Sequence, residues 1–197
     1  MDSGVRMACN PGLFNQTEVG MWRDILKYGA IAGLVVAAVM IVGFWSAGGD
    51  MPHGWLGMAI GYATMLLALS AVFMGIKHHR DVAGGGVIRF WPAFGMGLGI
   101  SFVAALFYVA AWELVQATII TDFAGSYADS VIAAQKAKGV DAAALAKLTA
   151  EMEAFKVQYA DPMFRLPMTF SEIFPVGVLV SLVSALVLRN PRVLPAR

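Results

Sequence analysis

The sequence predicts an all-α, polytopic membrane protein: a four-transmembrane-helix bundle with an extramembrane helical hairpin between helices 3 and 4, all in a single membrane domain over residues 1–197. Three observations carry this. Hydrophobic residues make up 59% of the chain and charged ones only 14%, against roughly 25% charged in soluble domains, so a water-soluble fold has nowhere to put the apolar surface. Four stretches are long and nearly free of charge, as helices crossing a bilayer must be. Lys and Arg gather beside alternate connections, the pattern expected when a chain crosses an even number of times.

The first span covers about 27–45, with Tyr28 to Trp45 uncharged; the second about 55–76, Trp55 to Ile76; the third about 91–120, with Phe90 to Trp112 as its apolar run. The fourth, about 170–189, holds the apolar Ile173 to Leu188 between Glu172 and Arg189. At 1.5 Å per residue that run covers about 24 Å of a hydrocarbon core about 30 Å thick. One of the two charges must meet the boundary. Arg189 can snorkel on its long stem, and Glu172 reaches less far. Residues before Thr17 read as a mobile tail. The first apolar run is of full transmembrane length rather than a short signal-peptide core, so it is expected to direct its own insertion.

Arg6, Arg23 and Lys27 precede the first span, Lys77, Arg80 and Arg89 flank the second connection, and Arg189, Arg192 and Arg197 follow the fourth span. The short connection around Asp50 has no Lys or Arg. Both termini and the second connection are therefore expected on the cytoplasmic side. Trp22, Trp45, Trp55, Trp91 and Trp112 all fall near span ends, as an interfacial aromatic belt requires. With Lys+Arg 14 against Asp+Glu 13, no net field draws nucleic acid. The lone Cys9 excludes an internal disulfide and cysteine-rich metal sites.

The third connection, Thr121 to Arg165, is too long to be structureless. It mixes Lys136, Lys138, Lys147, Lys156 and Arg165 with Asp122, Asp129, Asp141, Glu151, Glu153 and Asp161, and so only weakly opposes this topology. Phe123, Tyr127, Val131 and Ala134 keep helical spacing up to a break at Gly139. Asp141 then suits an N-cap, followed by Leu145, Leu148, Met152 and Phe155 on one stripe. These are the arms of a hairpin over about 122–160, closed by Asp161 and Pro162.

Lipid tails are as apolar as Leu, so membrane helices associate through close backbone approach, which small residues four apart permit. The candidate packing faces are Gly29 and Gly33, Gly57 and Gly61, Gly95 and Gly99, and Gly177, Ser181 and Ala185.

Ionisable groups at membrane depth are the candidates for chemistry. Glu113 and Glu172 are expected at one level at the hairpin end, where two carboxylates could share a proton, bind a cation, or ligate a metal with His53. Each also has a structural reading. Glu172, three residues after Thr169, completes a capping box, and Glu113 marks the interface or hydrogen-bonds to a neighbouring helix. Lys77, His78, His79, Arg80 and Asp81, followed by Gly84, Gly85 and Gly86, read as a flexible turn with Lys77 and Arg80 as headgroup anchors rather than a phosphate cradle, since P-loop spacing is lacking. Pro92 fits the first turn of the third helix, and Pro175 is expected to loosen the fourth near Glu172. No hydrolase triad or dyad can be assembled, so no catalytic residue, metal or cofactor is expected.

Three stretches also carry a likeness: GYATMLLALSAVFMGIKHHRD with the following AFGMGLGISFVAALFYVAAWE, the charged insertion ending EMEAFKVQYADPMFR, and MTFSEIFPVGVLVSLVSALVL. Over roughly Tyr28 to Arg189 the chain resembles the bacterial membrane protein family known as domain of unknown function 4199. The resemblance implies four membrane helices, a helical insertion before the last, and residence in the bacterial inner membrane. It brings no activity, and directs attention to Gly75, Lys77, Arg80, Glu113, Glu172 and Pro175.

Two function classes follow. A non-enzymatic accessory or scaffold protein would bind another membrane or periplasmic protein through the hairpin, whose apolar stripes ask for cover. Alternatively, a proton- or cation-linked transporter or channel would work through Glu113 and Glu172, and with four helices it would need a homo-oligomer. Beyond these, membrane lipids are the expected partners. A lipid-modifying enzyme ranks last, for want of a nucleophile.

Overall fold

A computed structural model of the protein describes residues 11–47 and 55–195; Cys9, Asp50 and His53, with Arg6 and Arg197, lie outside them. The described residues form helices and no strand: α1 (Pro11–Ser46), α2 (Trp55–Val82), α3 (Phe90–Thr118), α4 (Phe123–Ala137), α5 (Ala142–Tyr159) and α6 (Pro162–Leu188). Four of them are long and apolar enough to cross a membrane, namely Val19–Ser46 within α1, and α2, α3 and α6. The α4–α5 pair is the expected hairpin. Asp141 caps α5 by accepting from the Ala144 amide at 2.8 Å, and Gly139 takes the left-handed φ of 70° that ends α4.

The spans outrun their apolar runs. α1 is already helical from Pro11, where a tail was expected, and its span starts at Val19, ahead of residue 27. α2 continues to Val82, so Lys77 to Asp81 lie on its last turns rather than in a loop. The largest departure is α6, which starts at Pro162 instead of near residue 170. Its N-cap is Asp161, whose carboxylate accepts from the Met163 amide at 2.9 Å, and Pro162 costs no hydrogen bond in a first turn. The capping box expected at Thr169 and Glu172 is therefore absent: both sit mid-helix, and the Thr169 hydroxyl donates to the Arg165 carbonyl at 3.0 Å. Pro167 and Pro175 each remove a backbone donor, yet α6 runs through both.

The helices run so that the start of α1, the end of α2, the start of α3 and the chain's C-terminal segment share one end of the bundle, here the tail end. The hairpin stands at the other. α3 lies in the middle, packed against α1, α2 and α6, and 44% of its apolar window is buried against 33% for α1 and α6. Its core residues Ala93, Met96, Ile100, Ala104 and Ala105 are short or slender enough to bring three helices close. The opposite faces keep Leu34, Val42, Leu66, Leu67, Leu106, Leu179 and Val183 exposed, a liability in water that lipid removes. Trp22, Trp45, Trp55 and Trp91 are exposed as a belt requires. Trp112 is the exception at 8% exposure, turned inward beneath the hairpin.

Glycine packing is used selectively. A Cβ on Gly29 would meet Val103 at 2.6 Å, one on Gly33 would run into Phe107, one on Gly99 would touch Ile25 at 3.1 Å, and one on Gly177 would meet Ser101 at 2.6 Å. Gly75 and Gly97, outside the four-residue pairs, are equally tight, against Ile100 and Ser181. Gly61 and Gly95 have nothing within 4 Å of a Cβ and mark no close helix contact among the described residues.

This asymmetry is testable. Gly177→Ala should lower the unfolding free energy in detergent by about 1–3 kcal/mol through overpacking, whereas Gly61→Ala should be neutral or slightly stabilising through helix propensity. Thermal unfolding followed by monodispersity on a sizing column distinguishes the two.

Candidate functional site

At the hairpin end, α3 and α6 run antiparallel and bring their polar residues together in two layers. At 1.5 Å per residue, Glu113 lies about 35 Å along α3 from Phe90 and Arg165 about 35 Å along α6 from Leu188, while Tyr108 and Glu172 lie about 27 Å and 24 Å along the same helices. The edge of a hydrocarbon core about 30 Å thick, measured from the same helix ends, falls between the layers. The expected single level of two carboxylates is thus replaced by two levels with different partners.

In the upper layer Glu113 and Arg165 form a two-pronged ion pair: Nε donates to Oε1 at 2.7 Å and Nη2 to Oε2 at 2.5 Å. Nη1 donates to the Tyr159 carbonyl at 3.2 Å, and the guanidinium lies 5.8 Å from the centre of the Tyr159 ring. The planar fork matches the carboxylate, so both charges are held at partly buried positions. Trp112 donates its indole N–H to the Tyr159 hydroxyl at 2.7 Å. Burial pushes the Tyr159 phenol above its usual range, and it stays neutral. These bonds tie the foot of α5 and the first turn of α6 to α3.

One layer down, the buried Tyr108 donates to Glu172 Oε2 at 3.0 Å. Among the described residues no cation pairs with Glu172. Above it opens a cavity of about 170 Å³ lined by Tyr108, Trp112, Phe123, Tyr127, Phe155, Tyr159, Met168 and Glu172. The rings interlock: Trp112 meets Phe123 edge-on at 4.8 Å, and Phe155 stands 5.3 Å from Tyr159. The hairpin's aromatic stripes therefore partly cover each other. No three His, Cys, Asp or Glu side chains among the described residues come together to hold a metal, and His53 lies outside them.

The tail end holds a second polar cluster. Arg80 is fully buried rather than reaching for headgroups: its Nε donates to Asp81 at 2.8 Å, Nη1 to the Val193 carbonyl at 2.9 Å and Nη2 to the Leu194 carbonyl. Lys77 is held by Asp81 at 2.5 Å, and Asp24 of α1 meets His79 at 3.1 Å. In the glycine turn the amides of Ala83 and Gly84 donate to the His79 carbonyl and that of Gly86 to the Arg80 carbonyl. Those donors are spent on ending α2, with Gly85 and Gly86 at positive φ, which supports the turn reading over a phosphate cradle.

Sequence reasoning singled out Glu113, Glu172, Lys77 and Arg80 but missed Arg165, Tyr108, Tyr159 and Asp24, and read His79 only as part of the turn. Arg165 read as a connection residue because α6 was started too late. The pairing of Asp24 with His79 gave no signal, since it needs α1 and α2 side by side.

Removing the upper pair by Arg165→Met should destabilise the fold by roughly 1–2 kcal/mol, a partly screened charge-assisted bond. Glu113→Gln combined with Arg165→Met should lose less than the two single changes summed, as a thermal double-mutant cycle would measure. At the other end, Arg80→Met should free residues 190–195, read as faster amide exchange there than in the parent protein.

No curated protein and no solved structure matches the chain. The family model described as "Protein of unknown function (DUF4199)" matches residues 27–190, from the first span to just past the fourth, and the chain belongs to that family.

Proposed function

We propose that this protein is a non-enzymatic accessory or scaffold protein of the bacterial inner membrane, with both termini cytoplasmic, that acts by presenting its α4–α5 hairpin to another membrane or periplasmic protein. The observation that carries the reading is the mounting of the hairpin. Its foot is held by Glu113–Arg165 and Trp112–Tyr159, while among the described residues α4 and α5 pack chiefly against each other. A tethered arm that served only as a connection would need no such fixings, because loop length alone costs little. The far stretch keeps Val131, Leu145, Leu148 and Met152 half-buried, with Val140 exposed.

The transporter reading is weaker on two counts. Glu113 is neutralised by Arg165, and the two carboxylates occupy different layers, so they are not arranged to share a proton. A homo-oligomer has one feature in its favour: Gly57 and Gly61 lie on the first turns of α2, and Gly61 is open to close approach by a second copy.

Replacement of residues 130–151 by a short Gly-Ser linker, which keeps the hairpin's foot, should abolish cross-linking to co-purifying proteins in native membranes while the shortened chain remains folded in detergent. Unaltered cross-linked partners would remove the scaffold reading.

A further inference from the structure

We infer that the cavity at the foot of the hairpin is a binding site for an alkylammonium cation of headgroup size, with Glu172 as its counter-charge and the surrounding rings as its walls. The argument begins with charge. The hairpin-end cluster contains Glu113, Arg165 and Glu172. Arg165 spends its donors on both oxygens of Glu113 and on the Tyr159 carbonyl. Glu172 has only the neutral Tyr108 hydroxyl, on Oε2, so among the described residues this carboxylate has no cationic partner, at membrane depth, where a bare charge is costly and an added cation would offset it.

The walls match that charge. Six aromatic side chains from α3, α4 and α5 line one cavity with this carboxylate. Aromatic faces carry negative potential and attract cations, and quaternary ammonium groups are the ligands that aromatic cages take. The site already accommodates one cation on a ring, the guanidinium of Arg165 on Tyr159. A metal ion or an inorganic cation would want oxygen ligands, and the cavity offers few. At about 170 Å³ the cavity is well below the roughly 300–1,000 Å³ of pockets for drug-sized ligands, which suits a single small headgroup. Tyr127, Met168 and Glu172 itself are its exposed members, so entry lies between the hairpin and α6, near the depth of lipid headgroups. An alkylammonium could therefore come from a lipid or from a free amine.

The test uses the full chain in an uncharged detergent, titrated with choline and ethanolamine, with short-chain phosphatidylcholine and phosphatidylethanolamine, and with the uncharged carbon isostere of choline. Trp112 lies in the wall, so tryptophan fluorescence reports occupancy. A saturable response to at least one ammonium probe, absent for the isostere, is expected. Glu172→Gln, which retains an acceptor for Tyr108, should weaken it roughly tenfold or more. Tyr127→Leu, at a half-exposed position, should also weaken binding, and it decides the matter if Glu172→Gln does not fold. Response to free choline or ethanolamine assigns a soluble amine, and response to the short-chain lipids alone assigns a headgroup. No saturable response, an equal response to the isostere, or indifference to both substitutions would overturn the site. Such a failure leaves the hairpin reading standing, because neither substitution touches the distal arm removed in its own test.

Discussion

The bundle depends on one close contact between α3 and α6. Gly97 of α3 faces Ser181 of α6, and Gly177 of α6 faces Ser101 of α3, so two Gly-x-x-x-Ser steps interlock head to tail across antiparallel helices. The two serine hydroxyls meet at 3.2 Å, and Ser181 also donates back to the Gly177 carbonyl at 2.7 Å. In lipid no exclusion of water presses helices together, so this packing and its hydrogen bond must supply the association. The contact also sets the register of the two helices. A register shift of one turn would carry Tyr108 past Glu172 and Glu113 past Arg165, and the hairpin would lose its mounting.

That register explains why charge is tolerated at the hairpin end. Glu113 and Arg165 lie at matching heights on opposite helices, and each satisfies the other where headgroups and water begin. Glu172, one layer deeper, receives only a neutral donor. The difference between these two carboxylates is one of partner rather than residue type, and it makes the deeper one the more reactive to an added cation. The aromatic stripes of α4 and α5 flank that position, so the hairpin is both an arm and a wall of the cavity.

The tail end is built on the opposite economy. Arg80 is fully buried yet well satisfied, with one carboxylate and two carbonyls of the C-terminal segment around it. A guanidinium is suited to this because its planar fork serves several acceptors at once. The segment after α6 is thereby fastened to α2, and Asp24 with His79 fastens α1 to the same place. Both ends of the bundle are closed by polar contacts that cross between helices, while its middle is closed by small residues.

The four spans, the hairpin, the Asp141 cap and the break at Gly139 are legible in the sequence because each follows from local physics: apolar length, helical period and backbone freedom. Gly29, Gly33, Gly99, Gly177 and Ser181 were legible as packing residues for the same reason, whereas Gly61 and Gly95 share the spacing and face away, since a period cannot say which side of a helix meets a neighbour. The start of α6 was misplaced because a hydropathy run marks where lipid begins, not where the helix does; Asp161 and Pro162 mark that. Only the tertiary structure paired Glu113 with Arg165, left Glu172 to Tyr108 and buried Arg80. Such pairings depend on the relative height of residues far apart in the chain, and helix packing alone sets that height.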